Sequence, residues 1–266
     1  MTLLRSYAHT VLFWYLFACI DRVFFVASFW SKYTLSIIDL LQTFIHGLRT
    51  DMAFVGYMSI IYIIVYCITP IVYVKKIHKI VTSVIVVLLS IFLVVNIELY
   101  TNWSAKINKE ALSMLAHIHE LAASSSHIRV LPVVCKCLIV IGVEGVLYCL
   151  LFLRNKKTIH KLNVDWRTKI KGSIVALLLL STSVLAIRGG WQLTPLNPSF
   201  AYFSTVSIYN HTAVNTVWNA VFSFFDKELD NYPYEFLPLQ ETKDISAPFL
   251  RLNTPSNSFS DRKSVV

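Results

Sequence analysis

The chain is built from long apolar runs separated by shorter segments whose apolar residues return at helical spacing. Five runs, at 8–30, 53–74, 80–97, 130–153 and 172–187, approach the about 20 residues that a helix needs to cross a hydrocarbon core of roughly 30 Å. Backbone polar groups must be satisfied within a segment when lipid surrounds it, so these runs predict transmembrane helices. Between and after them the period is amphipathic. At 35–48, Ile37, Ile38, Leu41, Phe44, Ile45 and Leu48 form one face, and at 109–122 Leu112, Leu115, Ile118 and Leu121 form another. At 211–225, Val214, Val217, Trp218, Val221, Phe222 and Phe225 follow the same rule, with Asn210 placed as an N-cap. That helix is expected to lie in a membrane interface with Trp218 as its anchor.

Composition agrees with the pattern. Hydrophobic residues make up 56% of the 266, charged residues 15%, and the mean hydropathy is +0.60, values that fit a polytopic membrane protein and not a soluble enzyme. The net charge of +9 is concentrated in two loops, Lys75, Lys76 and Lys79 in one and Arg154, Lys156, Lys157, Lys161, Arg167, Lys169 and Lys171 in the other. By the positive-inside rule this places the N-terminus in the cytoplasm and the chain after the fifth span outside. The excess is a topology signal that also attracts anionic lipid, and it makes no case for nucleic acid. The five cysteines, Cys19, Cys67, Cys135, Cys137 and Cys149, all fall inside predicted spans and read as small buried hydrophobes.

Ionisable residues inside apolar runs are the first candidates for function, because they are costly in lipid. They are Asp21, Arg22, Lys136 and Glu144. Structural pairing between helices, snorkelling of Lys136 and an ion path through Glu144 are all open to them. Arg49, Arg129 and Arg188 stand at span ends, where a guanidinium either forks onto a lipid phosphate or simply snorkels and compensates the helix end. His117, His119, Glu120 and His127 do not reproduce the spacing of a helical metal site, and no nucleophile elbow or phosphate-cradling glycine loop is present. No catalytic residue and no metal ligand is therefore predicted.

The order of several short motifs resembles a known family. Gly47-Leu48-Arg49-Thr50-Asp51 leads into the second span, Asn96-Ile97-Glu98-Leu99-Tyr100 leaves the third, and Arg188-Gly189-Gly190-Trp191-Gln192-Leu193-Thr194-Pro195-Leu196-Asn197 follows the fifth. With the 210–225 helix, they look like the membrane half of bacterial lipoteichoic acid synthase-like proteins, of the alkaline phosphatase and sulfatase superfamily. The resemblance implies an all-α, five-span membrane domain over 1–190 and an extracytoplasmic linker over 191–260. It further implies a bacterial cytoplasmic membrane location and a catalytic domain that this chain does not contain. That domain would use a divalent metal such as manganese to act on phospholipid headgroups or on phosphate or sulfate esters; no cofactor belongs to the chain itself. The partners implied are membrane lipids and the missing domain. Residues 261–266, Asp-Arg-Lys-Ser-Val-Val, are what a common sequencing adapter encodes in one frame and are expected to be non-native. A reading from another class is a self-contained small membrane transporter or assembly partner in which Asp21 and Glu144 matter.

Overall fold

A computed structural model describes residues 2–70, 72–113, 130–153, 166–225, 241 and 243–247, and all regular structure among them is helical. Two compact units divide the chain, Met1–Phe225 and Asp226–Val266. In the second, the described residues 241 and 243–247 are helical. In the first, the helices are α1 (Thr2–Phe29), α2 (Ile37–Ile68), α3 (Val74–Trp103), the short α4 (Lys109–Ser113), α5 (Val130–Tyr148, continued by a π-turn over Cys149–Leu153), α6 (Trp166–Arg188), α7 (Ser207–Ala213) and α8 (Thr216–Phe225).

Among the described residues, four helices are long and apolar enough to cross a membrane: Leu3–Phe29, Ile37–Ile68, Val74–Trp103 and Val130–Phe152. The fifth predicted span is not confirmed by its length. It lies in α6, whose first turns hold Arg167, Lys169 and Lys171, so that the apolar portion Gly172–Arg188 is shorter than the other four. The amphipathic segment at 35–48 and the second span are also one element, the 32-residue α2, because no breaker separates them. Beyond Ser113, the amphipathic segment at 109–122 lies outside the described residues.

The bundle is assembled along stripes. α3 buries His78, Thr82, Val86, Ser90, Val94 and Ile97 at three- and four-residue steps. α5 meets it with Val140, Glu144 and Tyr148, again four apart, and exposes most of its remaining surface. α2 packs against α6 through Gly56, where an added Cβ would lie 2.7 Å from the Ser183 carbonyl oxygen and 2.9 Å from Ile187. Aromatic side chains fill the centre: Phe13 meets Trp14, Tyr148 and Phe152 edge-on at ring separations of 4.9, 5.6 and 5.8 Å. None of the five cysteines is fully buried, which corrects that expectation; Cys67, Cys135 and Cys149 occupy the exposed helix faces.

α6 ends in a Schellman turn. The Gly190 amide donates to Leu185 and the Gly189 amide to Ala186, with φ of 86° at Gly189 and 119° at Gly190. The turn sends the chain back to the bundle, where Leu196 is buried and Asn197 caps a 3-10 turn over Pro198–Ala201. The following helix pair differs from expectation. In place of one helix over 211–225 there are two, interrupted at Val214 and Asn215, and the Asn215 side chain accepts from the Trp218 amide at 3.0 Å as the cap of the second. Asn210 hooks the preceding loop instead, accepting from the Phe203 and Ser204 amides. Trp218 is only 3% exposed and belongs to the aromatic core, so it is no interfacial anchor.

Candidate functional site

The break between α7 and α8 is where the charges of the bundle gather. Arg22 of α1 donates through Nε to the Thr212 carbonyl at 3.0 Å and through Nη2 to the Ala213 carbonyl at 2.9 Å. Lys106, in the loop after α3, donates to the Val214 carbonyl and, at 3.2 Å, to the Thr216 hydroxyl. The final carbonyls of α7 have no helical partner, and the dipole concentrates negative charge there, so two buried cations satisfy what the break leaves open. Carboxylates balance them. Asp51 of α2 pairs with Arg22 at 2.9 Å and accepts from Asn215 at 3.1 Å, and Asp21 faces Lys106 and Thr216. All four charged groups are at least 90% buried.

Room for this cluster comes from Gly47. A Cβ at that position would sit 2.2 Å from Arg22 Nη2 and 2.3 Å from the Ala213 carbonyl oxygen. One turn further along α2, Thr50 donates to the Gly47 carbonyl and accepts from the Asn215 amide at 3.1 Å. A cavity of about 10 Å³ lies among Asp21, Arg22, Asp51, Lys106, Asn215 and Thr216, the space one water requires. Among the described residues, Asp21 Oδ1 and Arg22 Nη1 make no hydrogen bond, and Asp51 Oδ2 has its 2.9 Å ion pair with Arg22 alone. Two acceptors and one donor are what a single water can serve at once.

Lys106 lies beyond the end of α3, and its burial pushes the ammonium down to about 8 although Asp21 pulls the other way. Burial, then the Lys106 charge, also lowers His211, which shares a 2.9 Å hydrogen bond with the Tyr100 hydroxyl.

The remaining candidates separate into two groups. Lys136 is paired with Glu98 at 2.5 Å. Eight residues along each helix, about 12 Å deeper, Ser90 meets the fully buried Glu144 at 2.5 Å. Thus Asp21, Arg22, Lys136 and Glu144 all have polar neighbours from other elements. Arg49 and Arg188 are exposed and converge on one residue: Arg49 Nη1 donates to Gln192 Oε1 at 3.3 Å, and Arg188 Nη2 donates to the Gln192 carbonyl at 3.2 Å. Arg129 and the His117, His119, Glu120 and His127 group lie outside the described residues. Among the described residues, no three His, Cys, Asp or Glu side chains come together as a metal site.

Sequence reasoning did not find Lys106, Gly47 or Asn215 as members of one cluster. The available signal was Asn215 itself, a strong capping residue placed inside an apolar period. Comparison with known proteins finds no matching family model, no matching curated protein and no matching solved structure.

Proposed function

We propose that the chain is the membrane-anchoring part of a lipoteichoic acid synthase-like enzyme, holding the segment that follows the bundle at the outer face of a bacterial cytoplasmic membrane. The observation that supports this reading most is convergence. Four short motifs, far apart in sequence, carry the resemblance, and their residues meet at one end of the bundle. Asp51 meets Asn215, Tyr100 meets His211, Asn96 accepts from the Ile107 amide beside Asn219, and Arg49 meets Gln192. That joint fixes the α7–α8 segment to three membrane-length helices. The catalytic chemistry, on phospholipid headgroups or on phosphate or sulfate esters with a divalent metal such as manganese, belongs to the domain that the resemblance places after it.

The fifth crossing by α6, with its basic start inside and Arg188 outside, belongs to the same proposal. So does the charge level defined by Arg49, Arg188 and the Glu98–Lys136 pair. Helices of 28 to 32 residues measure roughly 42 to 48 Å, longer than the hydrocarbon core alone, and the excess projects past that level. A direct test fuses alkaline phosphatase, or alternatively a fluorescent protein that folds only in the cytoplasm, after Val266 of the full chain. Active phosphatase and a dark fluorescent fusion are expected; a bright fluorescent fusion with inactive phosphatase would overturn the orientation.

A further inference from the structure

We propose that the first part of α2, residues 37–48, is a docking surface for a second copy of this chain, the two helices lying parallel about a two-fold axis along the membrane normal. The pairing requires that the chain cross a membrane; it depends neither on the family resemblance nor on which side this end faces. α2 is one continuous helix of 32 residues, roughly 48 Å long. Counted back from Ile68, which precedes the basic turns of Lys75, Lys76 and Lys79, about 20 residues reach Arg49 and fill a hydrocarbon core of about 30 Å. Residues 37–48 therefore stand beyond the core, and they stand upright because the same helix continues into the crossing.

The segment turns its small and polar residues towards the bundle. Thr43, Gly47 and Thr50 are buried, and the Phe44 ring lies 5.0 Å from the Arg22 guanidinium. Its opposite face carries Ile38, Leu41, Ile45 and Leu48, which are 69%, 61%, 72% and 42% exposed among the described residues. Steps of three, four and three are the a and d positions of a heptad, here with Ile at both a and Leu at both d, the choice that favours two parallel strands. Charge stays off this seam: Asp39 falls at b, Gln42 at e, and Arg49 is drawn aside to Gln192 at 3.3 Å. The seam ends where the bundle takes over, since the next d position, Val55, is buried. An upright apolar stripe beyond the core cannot rest on a bilayer surface as a flat amphipathic helix does. It is covered by another upright helix with apolar residues at the same heights. A second copy supplies them, because the membrane holds both copies in one orientation and two-fold symmetry brings each seam residue to its own mate. With the exposed Ile37 at its edge, the pair buries on the order of 1,000 Å², the lower limit for a specific interface. So short a pair is marginal free in water, and confinement of both copies to one membrane raises their effective concentration.

The test is a scan of single cysteines in the full chain, its five native cysteines replaced by serine or alanine, oxidised mildly in its membranes. Ile38→Cys, Leu41→Cys, Ile45→Cys and Leu48→Cys should form inter-chain disulfides about tenfold or more faster than two exposed controls, because only the seam brings paired Cβ atoms within reach. The controls are His46→Cys, on the same turns but off the seam, and Leu138→Cys, on the open face of α5. Single-molecule photobleaching of the labelled wild type at low density in vesicles should show two steps. Leu41→Glu/Ile45→Glu, which sets like charges against each other across the seam, should reduce this to one step and slow the Ile38→Cys disulfide by about tenfold. Leu41→Ala/Ile45→Ala, which adds no charge and removes only exposed side chains, should shift both readouts in the same direction and covers a glutamate variant that does not insert. One-step bleaching of the wild type at every density overturns the interface. So does a disulfide that forms as fast at His46→Cys or Leu138→Cys as on the seam. Retention in alkali-washed membranes scores the membrane reading separately, so a chain that is not in the membrane is told apart from one that is there as a monomer.

Discussion

Gly47 is the residue at which one methyl group decides the packing of the charge cluster. An alanine there would have to displace either the Arg22 guanidinium or the α7 backbone, since both lie within 2.3 Å of the new carbon. Gly47→Ala should therefore lower the melting temperature in detergent by the equivalent of about 1–3 kcal/mol or more, as overpacking does. Gly142→Ala, on the open face of α5, should be neutral or slightly stabilising. Asp51→Ala leaves Arg22 buried without its counter-ion and should cost about 3–5 kcal/mol, while Arg22→Met/Asp51→Leu should cost less than Asp51→Ala alone, a comparison made by thermal unfolding of the three variants. Lys106 adds a pH dependence. Its folded value of about 8 lies below the ordinary 10.5, so the unfolded chain binds the proton more tightly in that interval. The penalty is fully present below pH 8 and disappears towards pH 10.5. The melting temperature of the wild type should rise relative to Lys106→Met through that window. Charges within apolar runs announced Asp21, Arg22, Lys136 and Glu144 from sequence because they break a pattern. Lys106 stands in polar surroundings, where nothing in the sequence distinguishes a buried partner from a solvated side chain.

At the scale of elements, the α7–α8 break is the main departure from the periodic reading. The apolar face formed by Val214, Val217, Trp218 and Val221 continues across it, so hydrophobic spacing alone does not reveal that the backbone leaves the helix at Val214 and Asn215. What does distinguish the two halves is capping: Arg22 and Lys106 close the end of α7, and Asn215 opens α8. Asn215→Ala removes both the cap and the contact with Asp51. It should cost about 1–2 kcal/mol and accelerate amide exchange in the first turn of α8 more than in α7, read by hydrogen exchange with mass spectrometry. The joining of 35–48 with the second span into α2 is a different kind of miss. A polar face and an apolar run adjoin without a Gly or Pro between residues 48 and 53, so the pattern changes with the surroundings while the helix continues.

For the whole molecule, an all-α bundle with membrane-length helices was legible in composition and apolar run length, because hydrocarbon thickness constrains both. The number of crossings was less so, since α6 begins among basic residues and leaves only a short apolar stretch. The joining of distant motifs at one end of the bundle could not be read from the sequence, as it depends on the crossing of α2 with α6 and on the return of the chain after Gly190. The central claim is that this end, with Arg49, Arg188 and the buried cluster beneath them, faces outward while the Lys75–Lys76–Lys79 end faces the cytoplasm. Labelling with a membrane-impermeant thiol reagent tests it most directly, in the full chain with its five native cysteines replaced by serine or alanine. In intact cells Trp191→Cys should be labelled at once and Lys76→Cys only after permeabilisation; the reverse pattern, or labelling of both from one side, would contradict the account.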